Sequence, residues 1–194
     1  MRTSQAPSRH FGARVRAMLI ALVAVAAATT WWFPSPGTVS SASPVAPGAT
    51  AGRSVPPFAV PSLTGGQVTL AQFAGHPLVI TFFNSLCGVC WPDMSLLEKA
   101  YARYRARGVM IVGIGVQDTV GSLREMITSL NVTFPVGYDE HGKSAARIYR
   151  LTAIPTTVFV GADGTVKGVL EGNLDDRTLQ KNLALILPRS ASTP

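Results

Sequence analysis

An apolar run of β-branched and aromatic residues, Pro77-Leu78-Val79-Ile80-Thr81-Phe82-Phe83, ends at the polar pair Asn84-Ser85, and Cys87-Gly88-Val89-Cys90 follows at once. Asp93 to Tyr101 then carries the pattern of a helix. A near-continuous apolar strand requires cover on both faces of its sheet. The cysteines therefore fall where a buried strand hands over to a helix N-terminus. Unpaired N–H groups and the positive end of the helix dipole point at that place. A thiol there loses its proton more readily, and the thiolate is the reactive species.

Cys87 and Cys90 are the only cysteines in the chain. A structural zinc site needs about four ligands, and besides this pair the chain has three histidines, one of them, His10, in the basic N-terminal segment. A purely structural disulfide would close so small a ring that it removes little chain entropy. Redox chemistry is the reading this pair favours beside strand–helix alternation. No metal and no cofactor is expected.

The 194 residues carry a formal charge of +7, unevenly spread. Arg2, Arg9, Arg14 and Arg16 are four of the 17 Lys and Arg residues, and no acid precedes Asp93. The basic balance thus belongs largely to the first 16 residues and is poor ground for nucleic-acid binding. Residues 17–33 are apolar apart from Thr29 and Thr30 and end in Trp31-Trp32-Phe33. That pattern is a signal anchor or a signal peptide. The aromatic cluster favours a retained single-pass anchor, and Ala26-Ala27-Ala28 offers the alternative of cleavage and secretion. In both cases residues 1–16 stay in the cytoplasm and the remainder is exported. Residues 34–54, rich in Pro, Ser, Ala and Gly, read as a flexible tether. Residues 55–188 form one domain, and 189–194 a disordered tail.

Within the domain, Phe58-Ala59-Val60 and Gln67-Val68-Thr69-Leu70 flank Gly65-Gly66 as a hairpin. The helix after Cys90 runs to about Arg107 and closes at Gly108. Val109 to Val116 is a second central strand, whose Gly113-Ile114-Gly115 is a weak phosphate-loop signal because it lies inside the strand. Leu123, Met126, Ile127 and Leu130 mark an amphipathic helix. Gly142 to Tyr149 is a short helix, Thr157 to Val160 a strand, and Ala162-Asp163-Gly164 a turn into Thr165 to Leu170. Asp175 or Asp176 caps a last helix with Leu179, Leu183 and Ile186 on one face. Alternation ending in a hairpin and helix gives an α/β sandwich with a mixed central sheet flanked by helices.

This order of parts resembles the thioredoxin fold, and more narrowly the membrane-tethered TlpA/ResA-like thiol–disulfide oxidoreductases. Four features carry the resemblance: the strand into Cys87-Gly88-Val89-Cys90, the extra N-terminal β-hairpin, an inserted βα unit within Gly108 to Tyr149, and the segment Ala153 to Gly164. The resemblance implies a cis peptide at Ile154-Pro155, beside which the backbone of Ile154 and Thr156 pairs with an extended substrate segment. It also implies a redox-active Cys87–Cys90 disulfide. Asp93 matches an acidic position three residues after the second cysteine, one helical turn from Cys90, with a proton-transfer role. A first-turn Asp favoured by the helix dipole is the plainer alternative.

Three departures stand out. Leu86 replaces a Trp common before the first cysteine, which alters the surface offered to substrate. Thr81 occupies the place of a buried Asp. Ser95 stands where relatives carry Pro, while Pro92 falls earlier and is expected to remove a helix N–H and bend the first turns. The resemblance implies an exported reductant of protein disulfides such as apocytochrome c, re-reduced by a membrane electron donor. A disulfide-forming oxidase is the second reading. A Sco-like copper-delivery protein is the third, although its cysteines are normally three residues apart and His76 and His141 lie in predicted turns with no sign of converging. A peroxidase reading lacks the Thr/Arg setting it needs.

Overall fold

The computed structural model describes residues 48–187. A small antiparallel hairpin, β1 (Ala59–Pro61) and β2 (Gln67–Thr69), comes first, followed by a 3-10 turn at Leu70–Phe73. Then come β3 (Leu78–Phe83), α1 (Cys90–Tyr104) with a 3-10 extension at Arg105–Arg107, and β4 (Met110–Val116). They are followed by α2 (Val120–Ser129), β5 (Val136–Asp139) and α3 (Ala145–Tyr149). The last elements are β6 (Thr156–Val160), β7 (Val166–Glu171) and α4 (Asp176–Ile186). The five-stranded sheet has the order β5-β4-β3-β6-β7. β3, β4 and β5 run parallel; β6 runs antiparallel to β3, and β7 antiparallel to β6.

Strand β3 is buried along all six residues, as its unbroken apolar pattern requires. Successive side chains point to opposite faces. Val79 and Phe83 join Met94 and Leu97 of α1, Leu123 of α2 and Leu179 and Leu183 of α4 in one cluster. Leu78, Ile80 and Phe82 join Val60 and Val68 of the hairpin and Tyr149 of α3 in the other. Each fully buried Phe or Leu contributes roughly 1.5–3 kcal/mol relative to exposure.

Gly115 explains the Gly-Ile-Gly motif without any phosphate. A Cβ on Gly115 would stand 2.5 Å from Leu123 Cδ1, so the glycine lets α2 lie close on β4. At the end of α1 the left-handed residue is Gly108, φ 81°, as a glycine C′ requires. Asp175 caps α4 by accepting from Thr178 N.

Residues 52–54, at the end of the expected tether, pair with the body that follows. Gly52 N donates to Val166 O, Val166 N to Arg53 O, and Val55 N to Gly164 O, and Ser54 bridges Thr165. The last residues of the presumed tether thus satisfy their backbone groups against the β6–β7 turn, a demand that composition does not reveal. Pro92 is the third residue of α1, where its missing N–H is one that no intrahelical partner would have bonded. No helix among the described residues is long and apolar enough to cross a membrane. The signal anchor or peptide at 17–33, the basic segment before it and the tail at 189–194 lie outside the described residues.

Candidate active site: a bonded cysteine pair at a strand–helix junction

The parallel pairing of β3 with β4 and its antiparallel pairing with β6 bring three segments to one end of the sheet. The residues after Phe83 carry the cysteines, and those after Val116 lead into α2. Thr156, opposite Phe82, begins β6. The segment before Thr156 contains Ile154-Pro155, whose peptide bond is cis. The cysteine turn and the proline turn therefore emerge together at one pole of the domain.

Cys87 and Cys90 form a disulfide with a Cα–Cα separation of 5.3 Å. Cys90 is the first residue of α1 and wholly buried, whereas Cys87 is half-buried. Cys90 N donates to Cys87 O and Cys87 N to Asn84 O, closing two successive turns. Leu86 is 89% exposed and Val89 49%, so the bridge is framed by apolar side chains held in solvent. Ile154 is half-buried and Pro155 and Thr156 are buried, with Thr156 Oγ1 donating to Ala153 O.

Two side chains not expected from sequence hold the cysteine turn. Asn84 Nδ2 donates to the carbonyls of Val116 and Gln117 at 2.9 and 3.0 Å, and its Oδ1 accepts from Leu86 N at 2.8 Å. Asp118 Oδ2 accepts from Ser85 N at 2.6 Å and its Oδ1 from Thr119 N at 2.7 Å. The β3–α1 and β4–α2 junctions are thus laced together from both sides. The only sequence signal was a polar residue closing each central strand. Trp91 Nε1 also closes on the turn, donating to Ser85 O at 2.9 Å. Thr81, at the place of the thioredoxin Asp, lies 3.4 Å from Thr157, hydroxyl to hydroxyl, and both are buried.

Asp93 is 3% exposed. Its Oδ2 accepts from Leu174 N at 3.0 Å. Burial pushes its carboxyl above the ordinary 3.8, and the Leu174 hydrogen bond offsets part of that rise. It sits one helical turn from Cys90, and both residues are buried.

The AhpC/TSA family model matches residues 51–169. The chain belongs to the AhpC/TSA family. Within it, the similarity is to the thiol–disulfide oxidoreductases called ResA. That of Bacillus thuringiensis subsp. konkukian is 26% identical over 137 residues, 71% of this chain and 79% of that protein. That of Oceanobacillus iheyensis is 28% identical over 122 residues, 63% of each chain. Among solved structures, a thioredoxin-family thiol:disulfide interchange protein from Chlorobium tepidum superposes with a TM-score of 0.64 at 20% identity, covering 70% of this chain and 96% of that one. A secreted Mycobacterium tuberculosis disulfide oxidoreductase homologous to E. coli DsbE gives 0.60 at 25% identity, covering 66% and 94%. The thioredoxin-like fold and the enzyme class expected from sequence, thiol–disulfide oxidoreductase, both stand.

The histidines of the copper reading are separated. His76 lines a cleft at the far pole with Leu78, and His141 lines a groove with Leu86. Among the described residues no three His, Cys, Asp or Glu side chains form a metal-binding group.

Proposed function

We propose that this chain is an extracytoplasmic, membrane-tethered reductant of disulfides in exported proteins, with apocytochrome c as a substrate. The observation that carries the chemistry is the unequal exposure of the two cysteines: Cys87, just ahead of the helix N-terminus, is partly exposed and Cys90 is wholly buried. The Cys87 thiolate attacks a partner disulfide. That S–S bond breaks, a mixed disulfide forms, and the first partner sulfur leaves as a thiolate that takes up a proton. Cys90, deprotonated, then attacks Cys87. The mixed disulfide breaks, the second partner thiol leaves, and the Cys87–Cys90 bridge remains. Two electrons and two protons pass from the dithiol to the partner.

Asp93 accepts the Cys90 proton in the second step, since a carboxyl lifted by burial lies nearer to a thiol in basicity. The partner segment lies along the backbone of Ile154 and Thr156, and exposed Leu86 provides an apolar contact beside the reacting sulfur. The basic-then-apolar N-terminus supports the location and the anchor. Outside the cytoplasm the surroundings favour disulfides, so a membrane electron donor must return the bridge to the dithiol.

The test is the reduction potential of the Cys87–Cys90 couple in dithiothreitol buffers. A value near or below about −270 mV is expected of a reductant. A value near about −120 mV would overturn the direction and make disulfide formation the function.

A further inference from the structure

Beside the cis-proline turn lies a cleft of about 470 Å³. Its wall includes Ala153 and Ile154 of that turn, Gln117 of the β4–α2 junction, and Arg147 and Arg150 of α3 and its C-terminus. Both arginines are exposed, and among the described residues neither forms an ion pair. No carboxylate lines the cleft. Glu171 accepts from Thr152 and lines a second, smaller cleft that Arg150 also borders, without forming an ion pair with it.

The backbone adds a second observation. Three non-glycine residues of the described chain have positive φ, and two of them, Gln117 and Arg150, both at 52°, line this cleft. A glycine is the ordinary residue at a helix C-terminus in that conformation. An arginine there retains a long cationic side chain at a conformational cost.

Gln117 also lines the neighbouring groove that contains Leu86, Asp118 and Glu140. The two grooves therefore meet at Gln117 and carry opposite charge, positive on the Ile154 side and negative on the Leu86 side.

We propose that the Ile154-side cleft recognises an acidic stretch of the substrate polypeptide, with Arg147 and Arg150 pairing carboxylates that flank its reactive cysteine on one side. This rests on the reading that the chain exchanges disulfides with polypeptides and specifies which ones. An unpaired pair of guanidinium groups at the rim of a binding cleft raises the association rate of an anionic segment, in a salt-dependent way.

The test uses the full chain in detergent, its Cys87–Cys90 bridge first reduced with dithiothreitol and the reductant removed, and synthetic peptides carrying one cysteine as a mixed disulfide with thionitrobenzoate, which the Cys87 thiolate attacks with release of thionitrobenzoate. One peptide is neutral, one has glutamates before the cysteine, and one has glutamates after it. The expected result is that one acidic peptide exchanges about tenfold faster than the neutral one at low salt. The advantage shrinks at high salt and falls to near one in Arg147→Gln/Arg150→Gly. Glycine suits the backbone at 150, so this variant removes charge without adding strain. Rates of both acidic peptides within twofold of the neutral one, or an advantage that survives the double substitution, would overturn the proposal. Reduction of the Cys87–Cys90 bridge by dithiothreitol separates the two levels. A bridge that dithiothreitol reduces to a dithiol that exchanges with the peptides but shows no acidic preference sinks this inference alone, and a bridge that dithiothreitol does not reduce, or a dithiol that attacks no peptide, sinks the disulfide-exchange reading as well.

Discussion

Asp93 and Leu174 are joined across the domain: the carboxylate in the first turn of α1 accepts the backbone N–H of the residue just before α4, at 3.0 Å. A carboxylate this deeply buried is held by a single donor among the described residues, which leaves its negative charge under-compensated.

That imbalance sets a pH signature. Burial raises the folded pKa of Asp93 above 3.8, so between the unfolded and the folded value the native state keeps a proton that the unfolded chain has lost. Stability therefore falls as pH rises through that window, the reverse of the usual carboxylate case. Asp93→Asn retains an acceptor for Leu174 N and removes the titration. Urea midpoints measured from about pH 3 to about pH 8 should show the variant gaining on the wild type as pH rises, then running parallel above the folded pKa. Parallel curves throughout would show that the carboxyl titrates normally.

The exposure of the two sulfurs orders the chemistry. Cys90→Ser should leave Cys87 to attack and then trap the partner, giving a stable mixed disulfide. Cys87→Ser, with its remaining sulfur buried, should trap none. Non-reducing mass spectrometry after incubation with a disulfide-bonded peptide distinguishes them, and equal trapping by both variants would refute the order.

Asn84 makes three side-chain hydrogen bonds that hold the cysteine turn. Asn84→Ala removes all three bonds, two at exposed sites that water can satisfy and one, to Val116 O, at a part-buried site where a stranded group costs about 1–3 kcal/mol. Chemical denaturation should show a loss of about 2 kcal/mol. The potential of the Cys pair should move as well, because Leu86 loses its anchor one residue from Cys87. A stable variant with an unchanged potential would show that the lacing is dispensable.

Its neighbour behaves oppositely. The Ser85 hydroxyl is buried with no hydrogen-bond partner among the described residues. Ser85→Ala removes that desolvated group while keeping the backbone bonds to Asp118 and Trp91. The variant should gain about 1 kcal/mol in denaturant unfolding, and a loss of stability would mean that the hydroxyl is satisfied in solution.

The strands and helices were legible because each has a strong period: the unbroken β3, the Leu123-Met126-Ile127-Leu130 stripe of α2, the Leu179-Leu183-Ile186 face of α4. The cysteine turn was legible because Cys-x-x-Cys at a strand end has few other uses. The Asn84 and Asp118 lacing was not, since it depends on two junctions some 33 residues apart meeting at one end of a parallel sheet. Nor was the pairing of Gly52-Arg53-Ser54, since such a stretch shows its partners only once the β6–β7 turn is in place. Asp93 lay between these cases. Its position on α1 was readable from spacing, but its partner Leu174 belongs to an irregular segment that no period marks.

The pairing of Gly52 to Val55 with the β6–β7 turn has a mechanical consequence. That turn follows Val160, which stands opposite Leu78 at the start of β3, whereas the cysteines follow its end. Six residues of strand, about 20 Å, separate the two. Ahead of Gly52 the chain runs back over the body: Ala49 packs on the second cluster, and Gly48 to Thr50 line a cleft with Tyr149, Arg150, Thr156 and Glu171. A pull on the chain ahead of Gly48 would fall first on that contact with Tyr149 and Arg150, and only then on the β6–β7 turn.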